Sequence, residues 1–143
     1  MGTSEQMVYE FNLNNDSMTK HRIEHTAHSL CMHKDSLIVS GRDSKQLGHI
    51  TVYDMKTMEV RATWASRGVL VSLLGNRIMC SDDSNGAVII WSLSGAKQME
   101  IFLKDFPEPH RLCSFKETAI VVTSWENNKV AKFPVKAEAE RSG

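Results

Sequence analysis

The chain has 143 residues, 41% hydrophobic and 24% charged, ordinary values for one globular unit with enough apolar material for a core. Seventeen Lys plus Arg balance seventeen Asp plus Glu, so nothing in the net charge suggests a surface built to track a phosphate backbone, and no nucleic-acid partner is expected. No stretch approaches the roughly 18 apolar residues of a membrane span, and the opening Met1-Gly2-Thr3-Ser4-Glu5-Gln6 lacks the basic and apolar regions of a secretory leader. The expected location is therefore the cytoplasm, with the nucleus as the other compartment, and no membrane contact. Cys31, Cys80 and Cys113 are widely spaced, with no Cys-x-x-Cys pair, which fits reduced thiols in strands and neither a disulfide framework nor a zinc clip.

In chain order, residues 7–13 (Met7-Val8-Tyr9-Glu10-Phe11-Asn12-Leu13) and 20–25 read as two strands. A repeated hairpin follows. The segment Leu30-Cys31-Met32-His33-Lys34-Asp35-Ser36-Leu37-Ile38-Val39 returns 41 residues later from Val71 and again after another 41 from Leu112. Each copy is an apolar run, a polar pair able to turn (Lys34-Asp35, Gly75-Asn76, Lys116-Glu117) and a second, β-branched run. A polar loop and a third run come next: Ile50-Thr51-Val52-Tyr53, Ala87-Val88-Ile89-Ile90-Trp91 and Val130-Ala131-Lys132-Phe133. A fourth run follows two of them. Val60-Arg61-Ala62-Thr63-Trp64 alternates at period two and Met99-Glu100-Ile101-Phe102-Leu103 does so more loosely, as suits an outer strand half in water. Phe11, Tyr53, Trp91 and Phe133 stand 42, 38 and 42 residues apart, and Asn85-Gly86 is a strong hairpin signal inside the shortest interval.

With this period and four short strands per unit, the chain resembles the WD-repeat β-propeller family, most closely over Met79-Cys80-Ser81-Asp82-Asp83-Ser84-Asn85-Gly86-Ala87-Val88-Ile89-Ile90-Trp91. The resemblance implies an all-β fold of tandem four-stranded antiparallel blades, incomplete in this chain: a remnant over 7–25, blades over 28–64 and 69–103, and an incomplete blade over 110–136, all one domain within 1–143. It also implies a buried hydrogen-bonded set of His, Ser, Asp and aromatic residue in each blade. His25, Ser40, Asp43 and Tyr53 are the matching positions of one blade, and Ser81, Asp82 or Asp83, and Trp91 those of the next. The repeats are degenerate: Tyr53-Asp54 keeps the Asp of the Trp-Asp pair, Trp91-Ser92 keeps the Trp, and Gly48-His49 lies just before a third strand instead of ahead of a blade.

Strands counted this way number two, four, four and three, short of the four to eight full blades with which propellers close. Completion is expected from further blades of a longer polypeptide or from a second copy, as a homodimer in which 20–25 of one chain supplies the fourth strand of the other. An unusual compact β-structure is the third route.

Catalytic patterns are scarce. The tract from His21 to His33 contains His-x-x-Glu-His, which on a helix would align two zinc ligands and a base, but the repeat places the tract in strands. No phosphate loop, dinucleotide fingerprint or nucleophile elbow occurs, and no cofactor or metal is expected. The family resemblance instead implies a non-catalytic scaffold that binds a protein or peptide through one loop face. The positions concerned are Arg42 and Lys45 in one loop, Asp82 and Asp83 in the next, Trp125 and Asn127 in the third, and Trp64, Arg67, Phe106 and His110 on the segments entering first strands. The other readings are a structural subunit completing a larger propeller and a zinc enzyme using the His tract.

Overall fold

A computed structural model describes residues 6–23, 26–68, 70–82, 85–103, 106, 108–124 and 129–135. All their elements are strands; among the described residues no helix is long and apolar enough to cross a membrane. Strands β1 (Gln6–Asn12) and β2 (Ser17–Ile23) form a first, two-stranded sheet. The second sheet holds β3 (Thr26–His33), β4 (Ser36–Arg42), β5 (Gly48–Asp54) and β6 (Val60–Ala65). The third holds β7 (Leu70–Leu74), β8 (Arg77–Asp82), β9 (Ala87–Trp91) and β10 (Lys97–Phe102), and the fourth β11 (Pro109–Phe115), β12 (Ala119–Ser124) and β13 (Val130–Pro134). Every pairing is antiparallel between chain neighbours, so each sheet is a meander, and among the described residues no strand crosses between distant thirds of the chain.

Why the middle strands read as continuous apolar runs follows from the packing. Successive side chains point to opposite faces, and in β4 Leu37 and Val39 join Val8, Ile23 and Tyr53 against the first sheet, while Ile38 joins Ile50, Val52, Ile78, Cys80 and Ile89 against the third. In the third sheet Met79, Val88 and Ile90 turn the other way, onto Ile120 and Val122 of the fourth. A strand sandwiched in this way needs apolar residues on both faces. The rim strand β6 is different. Ala62 and Trp64 pack on the core shared with the third sheet, and Val60, Arg61 and Thr63 are exposed.

Two serines staple the sheets together. Ser29 Oγ accepts from Val71 N at 3.1 Å and donates to Val71 O at 3.3 Å, and Ser81 Oγ donates to His110 O at 2.8 Å. Among the described residues of the His tract, 21–23 and 26–33 are strand and not helix. His21 faces inward and its Nε2 lies 3.0 Å from Glu10 Oε1.

Candidate binding groove on the loop face

The β4–β5 loop is folded around one carboxylate. Asp43 Oδ1 accepts the backbone N–H groups of Lys45 at 2.8 Å and Leu47 at 3.0 Å, and Asp43 N donates to Leu47 O at 3.0 Å. Its Oδ2 accepts from His49 Nε2 at 2.9 Å, His49 being the second residue of β5. The His49 bond, then the Leu47 amide, keeps the Asp43 carboxyl below the usual carboxylate range. Arg42 Nη1 donates to Gln46 O at 3.1 Å, closing the loop on its other side. So braced, the loop carries Leu47 58% exposed, an apolar side chain held out by backbone bonds instead of drawn into a core.

Across from it runs the segment from β6 to β7. Ser66 N donates to Gly48 O at 3.0 Å, and Ser66 Oγ donates to Gly68 O at 3.1 Å beside Cys80 Sγ. Arg67 reaches sideways: Nε lies 3.2 Å from Asp82 Oδ2, and Nη2 donates to Glu100. Asn85 Nδ2 donates to the same Asp82 oxygen at 2.9 Å, and Lys97 Nζ to Glu100 Oε2 at 2.7 Å. Lys97, then Arg67, lowers the Glu100 pKa. Between loop and segment lies a groove of about 520 Å³ walled by Arg42, Leu47, His49, Ala65, Ser66 and Arg67. A second hollow, also of about 520 Å³, sits at the opposite ends of the strands, among Arg77, Gln98, Lys116 and Glu117.

The structure sorts the sequence candidates unevenly. Arg42 and Arg67 share the groove, and Lys45 is exposed on the same loop. Asp82, expected as a surface contact, is 1% exposed and tied to Arg67 and Asn85, because the end of β8 is covered by the Arg67 segment. Trp64 and Phe106, also expected on the loop face, are packed. Trp64 lies 5.7 Å from Trp91 between ring centroids, and Phe106 makes an edge contact with Phe133 at 5.9 Å. His110 is half-buried with its carbonyl on Ser81. Asp83, Trp125, Asn127 and His25 lie outside the described residues.

The buried polar set implied by the resemblance takes another form. Asp43 is bonded to His49, Ser40 Oγ donates to Ser29 O at 3.4 Å, Tyr53 packs in the core with the first sheet, and Ser81 bonds the next sheet. Trp91 Nε1 has no oxygen or nitrogen acceptor and lies against the Cys80 thiol. Gly48-His49, expected just before a third strand, lies inside β5, and the partner of His49, Asp43, is six positions back across a loop whose closure no motif records.

Among solved structures, a catalytically inactive H270A virginiamycin B lyase from Staphylococcus aureus, determined with quinupristin, superimposes with a TM-score of 0.58 at 6% identity. It is propeller-like, as are these sheets. The chain has a β-propeller fold. The likeness covers 94% of the chain and 47% of the lyase, so the chain spans about half the length of that protein, and at this identity it speaks for fold alone. A protein of unknown function from Bacteroides caccae is similar at a TM-score of 0.39, 8% identity, over 94% of this chain and 71% of that one, too loose to carry an argument. No family model matches the chain, and no curated protein does.

Proposed function

We propose that the protein is a non-catalytic, WD-repeat-like scaffold of the cytoplasm that holds a protein or peptide segment in the groove between the Asp43 loop and the Arg67 segment. The observation that carries this reading is Leu47. An exposed leucine on a loop braced by six hydrogen bonds of Asp43, Gln46 and Arg42 offers a pre-ordered apolar contact beside two guanidinium groups, the side chains that binding hot spots concentrate. The polar groups that an enzyme would use are engaged in holding the walls: Asp43 orients His49, and Ser66 Oγ closes the turn at Gly68. The ligand this surface fits is an extended segment with an apolar residue next to a carboxylate, the latter for Arg42.

Selection from a displayed random-peptide library tests it. Wild-type protein should enrich acidic-apolar sequences, and Arg42→Glu and Leu47→Asp should each weaken them by about tenfold, roughly 1.4 kcal/mol. Enriched peptides that bind both variants as well as wild type, or no enrichment at all, would remove the groove from consideration.

A further inference from the structure

At the strand ends opposite the groove, the β7–β8 turn at Gly75 and Asn76 and the β11–β12 turn over 116–118 border the second hollow of about 520 Å³. Arg77, the first residue of β8, has the parity of Met79 and so points with it toward the fourth sheet. It is half-buried, and among the described residues its guanidinium makes neither an ion pair nor a hydrogen bond. Arg42, Arg61 and Arg67 each donate to an oxygen of this chain instead. Lys116 borders the same hollow from an exposed turn, its Nζ 5.4 Å from the Phe115 ring centre and in no ion pair among the described residues. The side chains of Asn76 and Thr118, also at the rim, make no hydrogen bond there.

The one carboxylate in the lining is held away from both cations. Glu117 has a left-handed backbone, φ 61°, and its carboxyl lies over Gly75, where a Cβ would meet Glu117 Cδ at 3.0 Å and Oε1 at 3.1 Å. A residue without a side chain leaves that space free. Among the described residues Glu117 forms no ion pair, so Arg77 keeps its charge uncompensated. A guanidinium drawn partly out of water loses hydration and here gains no partner in return, and a group left in this state calls for an ion. A carboxylate is planar and is satisfied by the guanidinium fork alone. A phosphate group carries roughly −1.5 to −2 charges near neutral pH and three acceptor oxygens in different directions, which suits cations and neutral donors arriving from two separate turns.

We infer that this hollow binds a phosphate group between the Arg77 guanidinium and the Lys116 ammonium, presented by a small phosphorylated compound or by a phosphorylated side chain. The test is an NMR titration of the isotope-labelled chain at low ionic strength with inorganic phosphate, following the Arg77 Nε–H and the backbone amides of Gly75, Asn76 and Glu117. These signals should shift together and saturate with a Kd on the order of 1 mM. Arg77→Gln should weaken binding about tenfold. Glu117→Gln removes the negative charge from the lining and should strengthen it about threefold. Lys129→Gln, the same loss of one positive charge at an exposed residue outside the hollow, should leave it unchanged. A phosphoserine peptide that moves the same signals assigns the phosphate to a polypeptide, and one that leaves them in place assigns it to a small compound. Acetate that binds as tightly as phosphate would overturn the inference, as would shifts that never saturate or an Arg77→Gln protein with unchanged circular dichroism that binds like wild type. Should Arg77→Gln fail to fold, Lys116→Gln at its exposed turn gives the same test. Val135 N donates to Thr118 O at 2.7 Å beside the hollow, and Glu138 and Glu140 follow in sequence. Arg77 signals that move on Glu138→Gln with Glu140→Gln, before any phosphate is added, would make the chain's own carboxylates the occupant and equally overturn the inference.

Discussion

Gly68 is the position where backbone geometry and the groove meet, and Gly68→Ala tests both. A Cβ on Gly68 would lie 2.2 Å from Ser81 O and 3.0 Å from Cys80 Sγ. The sulfur can rotate away, but Ser81 O belongs to the middle of the third sheet, where Ser81 pairs with Leu70 and with Val88. Restoring an ordinary carbon–oxygen contact needs a displacement of about 1 Å in a close-packed region, and such overpacking costs about 1–3 kcal/mol. The stiffer unfolded chain returns roughly 0.4–1 kcal/mol, leaving a net loss of about 1.3 kcal/mol. With a urea dependence of about 1–3 kcal/mol per molar, the midpoint should fall by about 0.6 M. Gly86→Ala separates sterics from dihedral strain, since nothing lies within 4 Å of that Cβ and only its φ of 63° resists a side chain, at about 1–2 kcal/mol. Because Gly68 adjoins Arg67, the same change should also displace the guanidinium and weaken any groove ligand. An unchanged or raised urea midpoint in Gly68→Ala would refute the claim that the segment is pressed onto β8.

Three other outcomes follow from the charges and thiols. Arg67→Ala leaves the buried Asp82 carboxylate with less compensation and should cost about 1.5–3 kcal/mol by urea denaturation; a loss below about 0.5 kcal/mol would mean that the other contacts of Asp82, Asn85 among them, suffice without the guanidinium. Asp43, Asp54 and Glu100 all have lowered pKa values, Asp54 through Arg61 and then the Lys56 amide. The unfolded chain therefore binds more protons in acid, so their contribution is present above the unfolded carboxylate range near 4 and is lost as pH falls through the lower folded values; Asp43→Asn with Asp54→Asn should flatten the urea midpoint's dependence on pH below about 5. Burial pushes the Cys31 thiol up to about 11 and raises Cys80 as well, whereas Cys113 is exposed. One thiol should thus react quickly with a disulfide reagent at neutral pH, and Cys113→Ser should abolish that fast phase.

The fold was legible because the repeat is carried by residues whose physics is local. Lys34, Gly75, Lys116 and Glu117, in turn pairs seen in the sequence, all take positive φ, and the β-branched runs after them become the buried β4, β8 and β12. Element edges were less visible: β2 begins at Ser17 and β3 at Thr26, since Ser17-Met18-Thr19 has too little apolar contrast to announce a strand. The candidate site was readable only in part. Arg42 and Arg67 could be placed by loop position, but parity decides Trp64, which pairs across from Ile50 and so faces the core shared with the third sheet. The ties from Arg67 to Asp82 and Glu100 join residues far apart in sequence and depend on how two sheets meet, which no spacing encodes.

Those ties also show how degenerate blades keep a defined loop face. Within the second sheet Asp43 fixes its own loop through His49 and backbone amides. Between sheets the work falls to Ser29 on Val71, Ser81 on His110 and Arg67 on Asp82 and Glu100, each crossing from one sheet or its connecting segment to the next. Apolar contact alone lets neighbouring sheets slide, because it scales with area and not with direction; a hydrogen bond to a buried group does not, since breaking it strands a desolvated partner. The cross-links at Val71 and at Asp82 flank the Arg67 segment, so the groove's two walls, one from each sheet's margin, are held in a fixed relation.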